Sequence, residues 1–248
     1  MKKLRDILIA VVIISGIGFL LYVIYDSTNP NKELAKRMAE ISPRGGPPET
    51  IEGLIKAIKL YEEQHQRNIK DAAQTGVYWK ILAMRYNDRN MFNNALEALE
   101  WAIYYNGGDP FLFNLRGSCA AAVARNSSGL LTNTVSEEKE KFLKIAESAY
   151  LRALELDATY TRAMYGLAYI YTVELNRQED AILYLERYLQ IQKTDINAMA
   201  LLARAYFLTK SYTRAIEMYD RIANRTSDMR IKEEALNNKY VIQGMMYE

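Results

Sequence analysis

The stretch MALLARAYFLTKSYTRAIEMYDRI, residues 199–222, decides the fold. Met199, Leu202-Ala203 and Tyr206 fall at helical spacing, and Tyr212, Ala215-Ile216, Tyr219 and Ile222 do so again after a short turn. The same rhythm stands from residue 79: Trp79, Leu82-Ala83 and Tyr86, then Phe92, Ala95-Leu96, Leu99 and Ala102. Two amphipathic helices joined by a turn, recurring with a period of about 34 residues, predict an all-α solenoid of stacked helix pairs. That is an architecture for holding partners rather than for chemistry.

Two further copies lie between these. Leu167-Ala168-x-x-Tyr171 is followed by the run from Ala181 to Ile191, one residue longer near its turn; Phe113-Asn-Leu-Arg-Gly117 pairs with Ala146 to Leu156 through Tyr150, Ala153 and Leu154. In these residues the chain resembles the tetratricopeptide repeat (TPR) family, and the resemblance implies four repeats at 76–109, 110–160, 161–195 and 196–229. The second is stretched by an insertion at 125–140, where Thr134 and Glu137 offer a capping box for a lengthened helix. Small residues are needed where helix backbones approach at 8–10 Å. Ala83, Ala95, Gly117, Ala146, Ala168, Ala203 and Ala215 are the expected contact points, with Trp79, Tyr86, Phe92, Tyr171, Tyr206 and Tyr212 filling the grooves. The chain departs from the family pattern in two ways. The closing proline is replaced by Gly107, Ala158, Lys193 and Ser227, and Tyr188 stands where a small residue is usual, so packing must open there or the ring must swing out.

An internal repeat leaves an apolar face bare at each end of a stack. Residues 49–75 are therefore expected as one long N-terminal capping helix through Leu54, Ala57, Ile58 and Tyr61. Residues 230–248 are expected as a C-terminal cap through Ile231, Ala235, Leu236 and Tyr240. Residues 26–48 read as a tether: a short helix to Ile41, then Ser42-Pro-Arg-Gly-Gly-Pro-Pro48, which cannot continue one.

Ile7 to Tyr25 is an uncharged stretch bracketed by Asp6 and Asp26. As a helix it spans roughly 28 Å, near the thickness of a bilayer's hydrocarbon core, and reads as a transmembrane helix. A cleaved signal peptide is the competing reading, because Lys2, Lys3 and Arg5 precede the apolar run. Phe19 to Tyr25 continue the span past the small residues Gly16 and Gly18, and no Cys follows to accept a lipid, which favours an uncleaved signal-anchor. The basic residues 1–6 are expected in the cytoplasm and the bulk of the chain outside it. Lys32, Lys36 and Arg37 on the far side of the span keep the reverse orientation open.

The 248 residues carry a net charge of +2, with no basic run of the kind nucleic-acid binding requires. The single cysteine, Cys119, excludes an internal disulfide and any multi-cysteine zinc site, and reads as a small packed side chain. The single histidine, His65, sits on the polar side of its helix with no second His or Cys to join it. No nucleophile elbow and no phosphate-cradling loop is present; Gly107-Gly108 ends a helix. The chain reads as non-enzymatic, with no catalytic residue, cofactor or metal.

In the TPR family the first helix of each repeat lines a concave face. The resemblance therefore assigns a peptide groove to Lys80, Met84 and Asn87, to Asn114, Ser118 and Ala121, to Arg162, Tyr165, Tyr169 and Thr172, and to Asn197, Arg204 and Phe207. Asn side chains suit an extended backbone, and the cations favour an acidic or carboxylate-bearing partner. Some family members grip a C-terminal carboxylate with Lys, Asn and Arg on successive helices. Lys80, Asn114 and Arg162 stand in similar places, but Met84 and Gly166 replace an expected Asn and a cation, so that activity is not carried over.

The expected function is a membrane-anchored scaffold or adaptor for protein–protein interaction, its array in the periplasm of a bacterial inner membrane, in a co-chaperone-like or assembly role. The alternatives are a cytosol-facing anchored receptor and a soluble exported binding protein; the 19 tyrosines leave self-association open. The repeat register makes one prediction. Ala95→Leu or Ala215→Leu overpacks an interhelix contact and costs about 1–3 kcal/mol, read as a lowered urea midpoint; unchanged midpoints in both variants reject the register.

Overall fold

The computed structural model describes residues 30–65, 70–127 and 137–246. Within them lie eleven helices and no strand. These are α1 (Pro30–Ile41), α2 (Ile51–His65), α3 (Lys70–Asp88), α4 (Phe92–Tyr105), α5 (Pro110–Asn126), α6 (Glu137–Leu156), α7 (Thr161–Val173), α8 (Gln178–Ile191), α9 (Ile196–Leu208), α10 (Tyr212–Arg225) and α11 (Met229–Met246). The expected membrane span at 7–25 and the basic segment before it lie outside the described residues, as do residues 128–136 of the insertion, Thr134 among them. Among the described residues no helix is long and apolar enough to cross a membrane.

The chain divides into two compact units, one ending at Tyr78 and the other beginning at Trp79. In the first, α1 packs on α2, and Leu54, Ala57, Ile58 and Leu60 are buried. Thr50 Oγ1 accepts the Gly53 amide at 3.0 Å and starts α2, while a Cβ at Gly53 would lie 2.9 Å from Pro48 Cβ. Across the stretch expected as one capping helix over 49–75, α2 is described to His65 and α3 from Lys70, with 66–69 outside the described residues, and α3 continues past residue 75 to Asp88. Gly76 does not break α3. A helical glycine costs only about 1 kcal/mol relative to alanine, and burial of Thr75 and Tyr78 on either side outweighs it.

In the second unit the helices pack in the order of the chain. α5 pairs with α6, α7 with α8, α9 with α10, and α11 closes on α10. α5 also packs on α7, and α7 on α9, so alternate helices form one layer. Ala83, Ala95, Gly117, Ala146, Ala168, Ala203 and Ala215 are all buried, which lets the backbones approach.

Three turns within pairs share one device. Asn90, Asn176 and Lys210 each stand two residues before the next helix with φ of 57°, 50° and 58°. The following amides reach back to carbonyls of Tyr86, Tyr171 and Tyr206 at 2.9, 2.8 and 2.8 Å. This is the left-handed C-terminal cap that satisfies the last carbonyls of a helix. Turns between pairs use aspartate instead. Asp109 accepts the Phe111 amide (2.9 Å), Asp157 the Thr159 amide (2.8 Å), Asp195 the Ala198 amide (3.0 Å) and Asp228 the Arg230 amide (2.9 Å). As helix N-caps, Asp109 and Asp195 each contribute about 1 kcal/mol, while Asp157 closes a turn ahead of α7.

Tyrosine hydroxyls tie neighbouring pairs together. Tyr171 on α7 donates to Glu147 on α6 at 2.7 Å, and Arg177 joins the same carboxylate at 2.6 Å while lying over the Tyr171 ring. Tyr206 on α9 donates to Glu186 on α8, with Arg214 over its ring. Tyr188 resolves its misfit by swinging out: its ring meets Tyr165 at 5.6 Å and its hydroxyl donates to Asp195 at 2.6 Å.

These locks set an alkaline limit. Burial and then the accepting carboxylates push the Tyr206 and Tyr188 hydroxyls up to about 12, against about 10 for free tyrosine. Folded values above unfolded ones mean that their contribution is whole below about pH 10 and is lost as pH rises from there through about 12. The urea midpoint is therefore expected to stay level from neutral pH to about pH 9.5 and to fall above pH 10. Tyr206→Phe should make that fall shallower; an identical slope assigns the alkaline transition to other groups.

Candidate functional site

The site is built on α5, α6 and α7. α5 and α7 lie side by side in one layer, with α6 packed against both. Tyr150 on α6 reaches toward them, and two glycines make room for it. A Cβ at Gly117 on α5 would stand 2.7 Å from Tyr150 Cδ1 and Cε1; one at Gly166 on α7 would stand 2.5 Å from Cζ and 2.6 Å from Cε1. Any side chain at either position would drive the ring out of its slot. The ring is 4% exposed, and its hydroxyl has no hydrogen-bond partner among the described residues.

Above this ring opens a cavity of about 450 Å³, lined by Asn114, Ser118, Ala121, Arg125, Tyr150, Arg162, Tyr165, Gly166, Tyr169, Ile170 and Tyr188. Of the residues assigned to the groove from sequence, it unites Asn114, Ser118, Ala121, Arg162, Tyr165 and Tyr169. Arg125 lies over the Tyr169 ring, 5.9 Å from its centroid. The lining holds two arginines and no carboxylate. Ser118 Oγ donates to the Leu115 carbonyl at 3.0 Å. Burial pushes the Tyr150 phenol well above its ordinary value, with Arg125 pulling weakly the other way.

The other expected groove residues lie elsewhere. Lys80 is paired with Asp109 at 2.7 Å and sits over the Phe111 ring, so its charge is neutralised within the fold. Asn87 Oδ1 accepts from Cys119 Sγ at 3.4 Å. Thr172 is buried and donates to the Ala168 carbonyl, and Phe207 packs on Tyr212 at the α9–α10 turn. Met84, Asn197 and Arg204 are exposed away from the cavity.

Sequence reasoning missed Arg125, Tyr150 as a lining residue, Gly166, Ile170 and Tyr188. Gly166 was the available signal: a glycine inside a helix, between Tyr165 and Tyr169, marks a close approach. Cys119 is fully buried, and burial pushes its thiol to about 12, which leaves it a packing residue. Among the described residues no group of three or more His, Cys, Asp or Glu is arranged to hold a metal. What the cavity offers is aromatic walls, free hydrogen-bonding groups and positive charge.

The family model for subunit 3 of the anaphase-promoting complex, or cyclosome, matches residues 174–231. No curated protein sequence matches the chain. Among solved structures, MamA is 19% identical with a TM-score of 0.54, over 78% of this chain and 92% of that one. YrrB, described as a TPR protein with an unusual peptide-binding site, is 16% identical with a TM-score of 0.55, over 75% and 85%. A tetratricopeptide repeat protein from Parabacteroides merdae is 12% identical with a TM-score of 0.58, over 87% and 74%. At these identities the likeness is one of fold, and the fold is an all-α, TPR-like helical-repeat solenoid.

Proposed function

We propose that the chain is a non-catalytic scaffold that holds an extended, acidic or carboxylate-bearing segment of a partner protein in the groove formed by α5 and α7. The observation that carries this reading is the cavity itself: two arginines with no carboxylate in the lining, beside an asparagine and four tyrosines. Tyrosine and arginine are the residues that most often anchor interfaces, and the volume suits one or two side chains of a ligand. YrrB, similar in fold, is described as having a peptide-binding site.

We further assign a membrane anchor to residues 7–25, with the array held outside the cytoplasm at a bacterial inner membrane in an assembly or co-chaperone-like role. The support is the uncharged span and the basic residues before it. A cytosol-facing anchored receptor is the second reading, favoured by Lys32, Lys36 and Arg37 beyond the span.

The groove is tested with a fluorescent alternating Glu-Ala octapeptide and its Gln-Ala counterpart, titrated into the full chain in detergent micelles. The acidic peptide is expected to bind. The double change Arg125→Glu and Arg162→Glu should weaken it about tenfold or more with helicity retained, because charge-assisted hydrogen bonds are lost. Equal affinity for both peptides and both proteins rejects the groove. For topology, Ser27→Cys in a Cys119→Ser background is expected to react in intact cells with a thiol reagent that cannot cross the inner membrane. Protection that lysis relieves supports the cytosolic receptor instead.

A further inference from the structure

Tyr150 is buried but lines the cavity, and its hydroxyl has no protein partner among the described residues. It comes from α6, the helix behind the groove, and arrives only because Gly117 and Gly166 carry no Cβ. Because Tyr150 opens on the cavity, a ligand acceptor entering there takes the place of water at its hydroxyl. Nearby side chains are engaged elsewhere: the Ser118 hydroxyl is directed to its own helix, and Arg125 lies over the Tyr169 ring. The Asn114 amide is also without a partner among the described residues.

We infer that Tyr150 reads a single carboxylate through the window between Gly117 and Gly166, donating its hydroxyl to one oxygen while Arg125 and Arg162 neutralise the charge at the mouth. This rests on the groove reading above and names the group that enters its centre. The chemistry is specific. A phenol that burial holds protonated is a donor at every physiological pH, and guanidinium groups are donors only. A ligand group meeting both must be an acceptor, and the uncompensated charge of the lining makes an anionic acceptor better than a neutral one. The rings of Tyr165 and Tyr169 in the lining give an apolar stem a surface to pack on. Two sources present a carboxylate on such a stem: an Asp or Glu side chain within a segment, and the C-terminus of a chain.

The test is a saturation-transfer NMR titration of the full chain in detergent micelles with three small probes. N-acetyl-glutamate N-methylamide carries only the side-chain acid, N-acetyl-leucine only the terminal acid, and N-acetyl-glutamine N-methylamide neither. At least one acid is expected to bind, with the glutamine probe at least tenfold weaker, and the acid that binds identifies the source. Tyr150→Phe, which removes one oxygen from a retained ring, should weaken the binding acid about tenfold at unchanged helicity. Gly166→Ala should abolish binding by closing the window; if it also unfolds the protein, Tyr150→Phe alone decides. The inference is overturned if the glutamine probe binds as well as the acids, if neither acid binds, or if Tyr150→Phe leaves affinity within twofold. When Tyr150→Phe has no effect but the acidic octapeptide still depends on the arginines, the groove stands and the carboxylate reader falls. When the octapeptide does not bind either, both fall.

Discussion

Close approach of helix backbones at alanine and glycine is the constraint on which the second unit depends. Ala83, Ala95, Ala146, Ala168, Ala203 and Ala215 are wholly buried, each at a place where one more methylene would hold two helices apart. Because the contacts recur with the repeat, an error at one would propagate along the stack. The remaining devices act on a geometry these contacts already define. Asn90, Asn176 and Lys210 end helices in the left-handed region, a conformation that costs an L-residue about 1–2 kcal/mol. The carbonyls satisfied behind them and the packing of the next helix offset that cost.

The candidate site is a variation on the same constraint. Elsewhere a small residue lets two helices touch; at Gly117 and Gly166 it lets a tyrosine ring pass between two helices from a third. Space that packing would otherwise fill becomes the floor of a cavity, and a phenol is exchanged for an aliphatic contact. The tyrosines around it divide by partner. Tyr171, Tyr188 and Tyr206 donate to Glu147, Asp195 and Glu186 and hold the repeats together. Tyr150 donates to nothing among the described residues and lines the cavity instead. Charge divides the same way: Lys80 and Arg177 are bound into ion pairs of the fold, while Arg125 and Arg162 face a lining without a carboxylate.

Much of the fold was legible in single residues. The pairing of Leu202-Ala203 with Ala215-Ile216 marks two helices that bury the same stripe, and helical periodicity is a local property of the chain. The continuation of α3 past residue 75 was not legible, because Gly76 looks like an end and the burial of Tyr78 overrides it. Within the site, Asn114, Ser118, Arg162, Tyr165 and Tyr169 followed from their positions on first helices, where register alone assigns a face. Lys80 and Phe207 stood on the same face by register, yet Asp109 and Tyr212 claim them, and both partners come from other helices.

By itself the sequence determined the class of fold, the periods of its helices and the face that each first helix turns to its neighbours. Those follow from residue spacing, and spacing needs no knowledge of what lies across a contact. Only the tertiary structure decided which cations remain unpaired, where Tyr188 swings, and that Tyr150 reaches the groove from behind. Each of those depends on distances between side chains on different helices, where a few tenths of an ångström separate a contact from a clash and no pattern along one chain records the outcome.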